Sequence, residues 1–139
     1  MGDASLPRKV SVAREAARVF HDIFRGMGMP SPYTPFSAPG NPMARAFTIT
    51  NIIPTYRDPA KNARSRELLL KMMDNCAERG WACYRTAPAF QDHLVSKFSF
   101  NNNALLRFQE KLKDSIDPNG ILAPGRYGIW PAAMRKTRP

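Results

Sequence analysis

Tyr84 and Arg85 form the adjacent pair whose side chains could act directly on a small molecule. A tyrosine supplies a phenolic hydroxyl, and an arginine supplies a permanent cation with several hydrogen-bond donors in a planar fork. Together these groups could converge on one ligand. Successive side chains of a strand point to opposite faces, so the pair can bind one ligand only where the strand ends or bends. Pro88 favours such an end, although an exposed arginine beside a half-buried tyrosine is the commoner explanation of such a pair.

Arg126 is the second candidate, because it follows two closely spaced turn signals near the C-terminus. Asn119-Gly120 and Pro124-Gly125 are turn-forming pairs, since glycine tolerates positive φ and proline fixes its own φ. The apolar residues that flank these turns are Ile121, Leu122, Ile129 and Trp130. The pattern predicts a rigid, packed loop in which the backbone of Arg126 is well placed and which serves to hold another group.

Composition limits the size and the class of the protein. The 139 residues amount to one domain or to part of a larger one, and 43% hydrophobic residues suffice for a core. The net charge of +10 permits binding of nucleic acid or of an anionic cofactor, but the basic residues are scattered along the chain. No run of apolar residues could span a membrane, and no secretory signal is evident, which favours a cytoplasmic location.

Several other kinds of site are disfavoured by the sequence. The two cysteines, Cys76 and Cys83, have no CxxC spacing and are expected to be buried free thiols. His21 and His93 lack a metal-ligand pattern and are expected at the surface, so no metal site is predicted. The glycine-rich phosphate-binding motifs GxGxxG and GxxxxGK[ST] are both absent, so a nucleotide would have to be bound mostly by something else.

Hydrophobic periodicity predicts the elements of the first part of the chain. A helix is expected from Val10 to Met27, a strand from Ala46 to Ile53, and a second helix that begins at Asp58-Pro59 and ends before Gly80. Residues 30–42 are rich in proline and read as a connector. A short strand is expected over Trp81–Arg85, and this strand–helix–strand order predicts an α+β or α/β layer.

The later elements are a helical turn within residues 91–98 and a third helix capped by Asn102 or Asn103. That helix is expected to end at Asp117-Pro118. Its predicted inward face consists of Leu105, Phe108, Leu112 and Ile116.

Three blocks of this sequence together resemble the C-terminal end of one flavoprotein family. The blocks are YRTAPAFQD at 84–92, FNNNALLRF at 100–108 and KDSIDPNGILAPGR at 113–126. In order and spacing they are similar to the vanillyl-alcohol oxidase and 4-cresol dehydrogenase (hydroxylating) type, which also includes eugenol hydroxylases. The resemblance extends from about Ile53 to Pro131.

The resemblance implies a two-part enzyme, in which a large domain binds FAD and a smaller cap domain covers the flavin ring. This chain would be an α+β fragment, with residues 1–100 forming part of the cap, or substrate, domain. Residues 101–139 would form the C-terminal helix and the flavin-facing loop that return to the FAD-binding domain. FAD would therefore be bound mainly by a domain absent from this chain, and the chain alone would be inactive.

The resemblance also assigns roles to the candidate residues. Tyr84 and Arg85 match the catalytic pair that binds the phenolate oxygen of a para-substituted phenol, which is oxidised by hydride transfer to flavin through a quinone methide. Arg126 matches a basic residue beside the pyrimidine edge of the flavin, where it would bind the cofactor. The implied partners are a phenolic substrate and the missing FAD-binding domain, with a cytochrome or a homo-oligomer left open, and neither nucleic acid nor membrane.

Two alternatives to this hypothesis stay open at the level of sequence. The chain could be a small basic nucleic-acid-binding module, which would need clustered bases with interleaved aromatic residues. Phe20, Phe24 and Phe108 are instead expected on the core faces of helices. The chain could also be a non-catalytic, truncated remnant whose apolar faces lack their partner domain.

Overall fold

The computed structural model describes residues 2–29, 36–37, 45–83 and 85–137. The chain divides into two compact units, Met1–Thr86 and Ala87–Pro139. Most of the predicted connector at 30–42 lies outside the described residues. Within the described ranges, no helix combines the length and the apolar character needed to cross a membrane. Helices and a small antiparallel sheet make up the fold, so the predicted α+β class is confirmed.

The first unit contains a three-stranded sheet in the order β1 (Gly2–Pro7), β3 (Ala46–Asn51), β2 (Phe36–Ser37). Both outer strands pair antiparallel with the central strand. β3 agrees with the predicted strand, although it ends two residues earlier. β1 was not predicted, because its sequence GDASLP has no β-branched residue; it exists through its pairing with β3, and the tertiary pairing outweighs local propensity.

The predicted strand at 81–85 is wrong in the part that the structure describes. Only Ala82 pairs, as an isolated bridge with Ser5. The Ser5 N–H donates to the Ala82 carbonyl oxygen at 2.6 Å, and the Ala82 N–H donates to Ser5 at 3.2 Å. This segment therefore lies along the outer edge of β1 for one residue pair rather than forming a strand of its own.

Two helices pack in the first unit as the sequence predicts. α1 (Val10–Gly26) buries Ala16, Phe20 and Phe24, and the ring of Phe20 meets Trp81 edge-on at a centroid distance of 6.3 Å. α2 (Pro59–Glu78) begins at the predicted cap, where the Asp58 carboxylate accepts the N–H of Ala60 at 2.9 Å. The buried residues of α2 are Ser65, Leu68, Leu69, Met72, Met73 and Cys76.

The second unit contains α3 (Gln91–Val95), α4 (Phe100–Ile116) and the 3₁₀ turns Pro88–Phe90, Arg126–Gly128 and Ala132–Met134. The helical turn predicted within 91–98 and the end at Asp117 are confirmed. The predicted asparagine cap is wrong. Asn101, Asn102 and Asn103 are all left-handed, with φ of 47°, 52° and 55°, a conformation that asparagine tolerates better than most residues. Regular helical dihedrals therefore begin only after them.

The predicted inward face of α4 is exposed. No residue of α4 is buried, and Phe108, which the sequence places on a core face, is 65% exposed. Ile121 and Leu122 of the terminal loop are exposed as well. The amphipathic pattern is present, but within the described part of the second unit no element covers it. The large exposed apolar residues of this segment are Phe100, Leu105, Phe108, Leu112, Ile116, Ile121 and Leu122.

Candidate functional site: the terminal loop and Arg126

The terminal loop begins at Asp117, whose carboxylate organises the first turn. Asp117 is buried and accepts the backbone N–H groups of Ile121 and Leu122, both at 2.9 Å. The Lys113 ammonium donates to the same carboxylate at 2.6 Å and also to the Leu122 carbonyl oxygen. The hydrogen bond from Lys113, followed by those from Ile121 and Leu122, lowers the pKa of Asp117 below its ordinary value. An ionised Asp117 therefore fixes the turn.

The two predicted glycine turns are present. Gly120 and Gly125 have φ values of +65° and +78°, a region that favours glycine. The Gly125 N–H donates to the Ile129 carbonyl oxygen at 3.0 Å, which closes the loop around Arg126. A β-carbon on Gly125 would lie 2.5 Å from the Trp130 ring, so the indole packs directly on the backbone before Arg126. This half of the loop is packed, as the sequence predicts, and its rigidity stays a prediction.

Two side chains of α3 attach the loop to the rest of the second unit. Gln91 Oε1 accepts the backbone N–H of Tyr127 at 2.8 Å, and Asp92 Oδ1 accepts the indole Nε1–H of Trp130 at 2.8 Å. Gly128 also lies against Val95, where a β-carbon would be 3.0 Å from that of Val95. The residues on both sides of Arg126 are therefore anchored to the same short helix.

Arg126 itself has a fixed backbone and an exposed side chain. Its N–H donates to Ala123 and its carbonyl oxygen accepts from Ile129, both at 3.2 Å. The guanidinium lies 5.5 Å from the centroid of the Tyr127 ring. Among the described residues it forms no ion pair with a carboxylate, which leaves its donors available to an anionic group. A guanidinium in this setting can bind an anionic ligand through its planar fork of donors.

Arg135, by contrast, already forms ion pairs within the second unit. Arg135 Nη2 donates to Asp114 Oδ2 at 2.7 Å, and its Nε lies 3.2 Å from Glu110 Oε1. Asp114 also accepts the backbone N–H of Ala132 at 3.0 Å, and the hydrogen bond from Arg135 is the main cause that lowers the pKa of Asp114. This cluster fastens the last 3₁₀ turn to α4.

The structure does not test the predicted catalytic pair. Tyr84 lies outside the described residues, and Arg85 is exposed in the first unit. Thr86, the next residue, is buried, and its hydroxyl has no hydrogen-bond partner among the described residues. The roles of Tyr84 and Arg85 stay predictions.

The cysteines and histidines are the other candidate reactive side chains. Cys76 and Cys83 are buried free thiols, as predicted. A hydrogen bond with Cys83, followed by burial, raises the pKa of the Cys76 thiol. His21 is exposed as predicted, whereas His93 is half-buried on α3. Within the described ranges, no group of three His, Cys, Asp or Glu side chains could bind a metal ion together.

Sequence reasoning missed Gln91 and Asp92 as parts of this site. Their partners lie 36 and 38 residues away, so no local pattern links them to the loop. The sequence offered only a weak indication. A glutamine on the core-facing side of α3 must form hydrogen bonds within the protein, because buried polar groups are nearly always paired.

Comparison with known proteins supplies the remaining observation. The chain is 28% identical over 81 residues, 58% of its length, to the flavoprotein subunit of 4-cresol dehydrogenase (hydroxylating) from Pseudomonas putida. It superimposes on a 4-ethylphenol oxidase from Gulosibacter chungangensis, solved with isoeugenol, with a TM-score of 0.84 and 28% identity over 96% of the chain. The predicted resemblance to the 4-cresol dehydrogenase type is confirmed. No protein-family model matches the chain.

The relatives of the 4-cresol dehydrogenase type are much longer than this chain. It spans 15% of the Pseudomonas putida subunit and 25% of the Gulosibacter chungangensis oxidase. A p-cresol methylhydroxylase solved with substrate bound has the same fold over 94% of the chain, with a TM-score of 0.72 and 22% identity. The structural likeness thus extends into residues before Ile53, farther than the sequence resemblance alone.

Proposed function

We propose that this chain is the C-terminal part of an FAD-dependent oxidoreductase that oxidises para-substituted phenols. The observation that carries the proposal is the superposition on the 4-ethylphenol oxidase over 96% of the chain at 28% identity. The chain covers 25% of that oxidase, and in this proposal the FAD-binding part of the enzyme lies outside these 139 residues.

Tyr84 and Arg85 bind the substrate oxygen in this proposal. A free phenol has a pKa of about 10, so its ionisation at neutral pH costs about 4 kcal/mol. Hydrogen bonds to a charged group contribute about 1.5–3 kcal/mol each, so a tyrosine hydroxyl and a guanidinium together offset that cost. The phenolate then donates electron density to the para substituent and favours loss of hydride from its α-carbon.

Arg126 binds the cofactor. FAD would supply the hydride acceptor, and Arg126 would stabilise negative charge at its pyrimidine edge. The exposed guanidinium of Arg126, without a carboxylate partner among the described residues, meets this requirement. The loop around it fixes the backbone from which this cation extends.

The apolar face of α4 packs on the missing FAD-binding part. Leu105, Phe108, Leu112 and Ile116 recur at helical spacing and are exposed, and a soluble monomer rarely exposes so continuous an apolar stripe. The relatives are much longer than this chain, and their additional residues could cover this apolar face. Residues 1–100 then belong to the cap domain and residues 101–139 form the segment that contacts the FAD-binding domain.

A partner subunit is compatible with this assignment, since the Pseudomonas putida relative is described as a flavoprotein subunit. A cytochrome or a second copy of the chain stays a prediction. Phe20 and Phe24 are buried in the core of the first unit and cannot stack on bases, which argues against the nucleic-acid-binding alternative, whereas Phe108 is exposed. The truncated-remnant alternative differs from the main proposal only in whether an FAD-binding part is present.

The position of the alkyl group on the phenol tests the proposed function. The complete, FAD-loaded enzyme is mixed without oxygen with 4-ethylphenol or with 3-ethylphenol, and flavin absorbance is followed. Only the para isomer places the α-carbon in conjugation with the phenolate, so we expect bleaching with 4-ethylphenol alone. Equal reduction by both isomers, or by neither, would refute the proposal.

A further inference from the structure

The anchoring of the Arg126 loop to α3 suggests a specific role for two residues outside that loop. Gln91 is only 1% exposed, and its side-chain oxygen accepts the N–H of Tyr127 at 2.8 Å. That N–H belongs to the peptide group that joins Arg126 to Tyr127. Gln91 therefore fixes the orientation of the peptide plane in which the carbonyl of Arg126 also lies.

Tyr127 makes this contact in an unusual backbone conformation. Its φ is +52°, which a tyrosine adopts only when the surrounding structure requires it. A buried glutamine without this partner would leave its amide unsatisfied, at a cost of about 1–3 kcal/mol. The hydrogen bond thus pairs the buried side-chain oxygen of Gln91 and stabilises the left-handed conformation of Tyr127, the residue after Arg126.

Asp92 acts on the other side of the loop. Its carboxylate accepts the indole N–H of Trp130 at 2.8 Å, and the indole packs on Gly125, the residue before Arg126. Two consecutive residues of α3 therefore fix the backbone immediately before and immediately after Arg126. The guanidinium itself touches neither of them through any hydrogen bond that the structure describes.

We propose that Gln91 and Asp92 are positioning residues for the Arg126 guanidinium. They act through the loop backbone, and the inference rests on the proposed function, in which Arg126 stabilises negative charge on the reduced flavin. A displacement of about 1 Å in a charged catalytic group can reduce rate by about 100-fold. Loss of either anchor therefore weakens electrostatic stabilisation without removing the cation.

The test uses the FAD-loaded holoenzyme and compares Gln91→Met with Gln91→Glu. The methionine has similar length but only a weakly accepting thioether sulfur, whereas the glutamate retains an oxygen for the Tyr127 N–H. For Gln91→Met we expect kcat to fall by roughly 10- to 100-fold with little change in KM, a more negative flavin reduction potential and faster hydrogen exchange at the Tyr127 amide. Gln91→Glu is expected to recover most of kcat and to retain slow exchange.

Asp92 is tested in the same way, so that misfolding of one variant does not decide the outcome. Asp92→Asn keeps an acceptor oxygen, whereas Asp92→Ala removes it, and Trp130→Phe removes both the donor and the indole ring atoms that pack on Gly125. We expect Asp92→Ala and Trp130→Phe to lower the potential and Asp92→Asn to leave it near the wild-type value. Ser65→Ala, which removes a buried hydrogen bond to the Pro54 carbonyl oxygen in the first unit, is the structural control and is expected to leave the potential unchanged.

Arg126→Gln distinguishes failure of the positioning role of Gln91 and Asp92 from failure of the proposed role of Arg126. If Arg126→Gln lowers the potential while the Gln91 and Asp92 variants leave it unchanged, the positioning role is wrong and the proposed function stands. If Arg126→Gln also leaves the potential unchanged, the proposed role of Arg126 is wrong and the positioning inference falls with it. A lower flavin reduction potential in the Gln91, Asp92 and Arg126 variants alike supports both the positioning role and the proposed role of Arg126.

Discussion

The indole of Trp130 lies directly on the backbone of Gly125, with no space between them for a side chain. A β-carbon at Gly125 would be 2.5 Å from the ring, and the φ of Gly125 is +78°. The residue before the candidate cofactor-binding arginine is thus restricted both by packing and by backbone conformation. Shape as well as hydrogen bonding therefore sets the position of Arg126.

Gly125→Ala is expected to destabilise the second unit. Overpacking costs about 1–3 kcal/mol and a left-handed alanine costs about 1–2 kcal/mol, so we expect a decrease of roughly 2–5 kcal/mol in the free energy of unfolding. Urea denaturation measures it. Gly26→Ala is the matched control, since a β-carbon there meets no atom within 4 Å. A similar stability for both variants would contradict the described packing.

Asp117 is expected to make stability depend on pH. The pKa of Asp117 is lower in the folded state than its ordinary value of 3.8, so its stabilising contribution is present above about that pH and is lost as pH falls through the folded-state pKa. We therefore expect the stability difference between wild type and Asp117→Asn to be largest near neutral pH and to shrink in acid. Denaturation curves at several pH values measure this difference.

Lys113→Met supplies the control for that titration, because Lys113 is the main cause of the low pKa. The same pH dependence is expected to be reduced in Lys113→Met. Asp114, whose pKa Arg135 lowers, contributes in the same direction in every variant, so the comparison uses differences from wild type. A difference between wild type and Asp117→Asn that stays constant from neutral to acid pH would be inconsistent with the ion pair.

Tyr84→Phe combined with Arg85→Ala is expected to abolish most phenol oxidation by the complete enzyme while its flavin is retained. Each lost charge-assisted hydrogen bond costs about 1.5–3 kcal/mol, so we expect kcat/KM to fall by roughly 100-fold or more. Steady-state kinetics and the flavin absorption band measure the two quantities. Arg18→Ala, an exposed arginine on α1, is the control. Unchanged kinetics in the double variant would remove both residues from the substrate site.

The exposed face of α4 is expected to cause self-association of the isolated chain. Phe108 is 65% exposed and Phe100 is 88% exposed, so these rings supply apolar surface for contact between chains. We expect light scattering to rise with concentration, and Phe100→Ser with Phe108→Gln to reduce that rise. Ile52→Gln, which removes an exposed apolar residue of the first unit, should have little effect. Equal scattering by all three proteins would argue against this face as a docking surface.

Local chemistry made much of the fold predictable from sequence. The cap at Asp58, the apolar stripes of α1 and α2 and the positive-φ glycines of the terminal loop all depend on neighbours within a few residues. β1 was missed because its strand character comes from pairing with β3, which is distant in sequence. The amphipathic pattern of α4 was recognised, but periodicity cannot tell whether a partner for the apolar face lies within the same chain.

The candidate site was predictable to a lesser extent. Arg126 and the turns around it follow from the sequence, whereas its anchors Gln91 and Asp92 depend on contacts between distant residues. The roles of Tyr84 and Arg85 rest on the resemblance alone. Side-chain roles that depend on a second domain cannot be derived from the chemistry of one chain.

Titration of FAD into the purified 139-residue chain tests the central claim most directly. Because the cofactor is proposed to be bound mainly by a domain outside this chain, we expect a colourless protein and no saturable change in flavin fluorescence. Addition of the FAD-binding part of the enzyme should restore binding. A yellow protein that retains flavin in equal molar amount without that part would contradict the account.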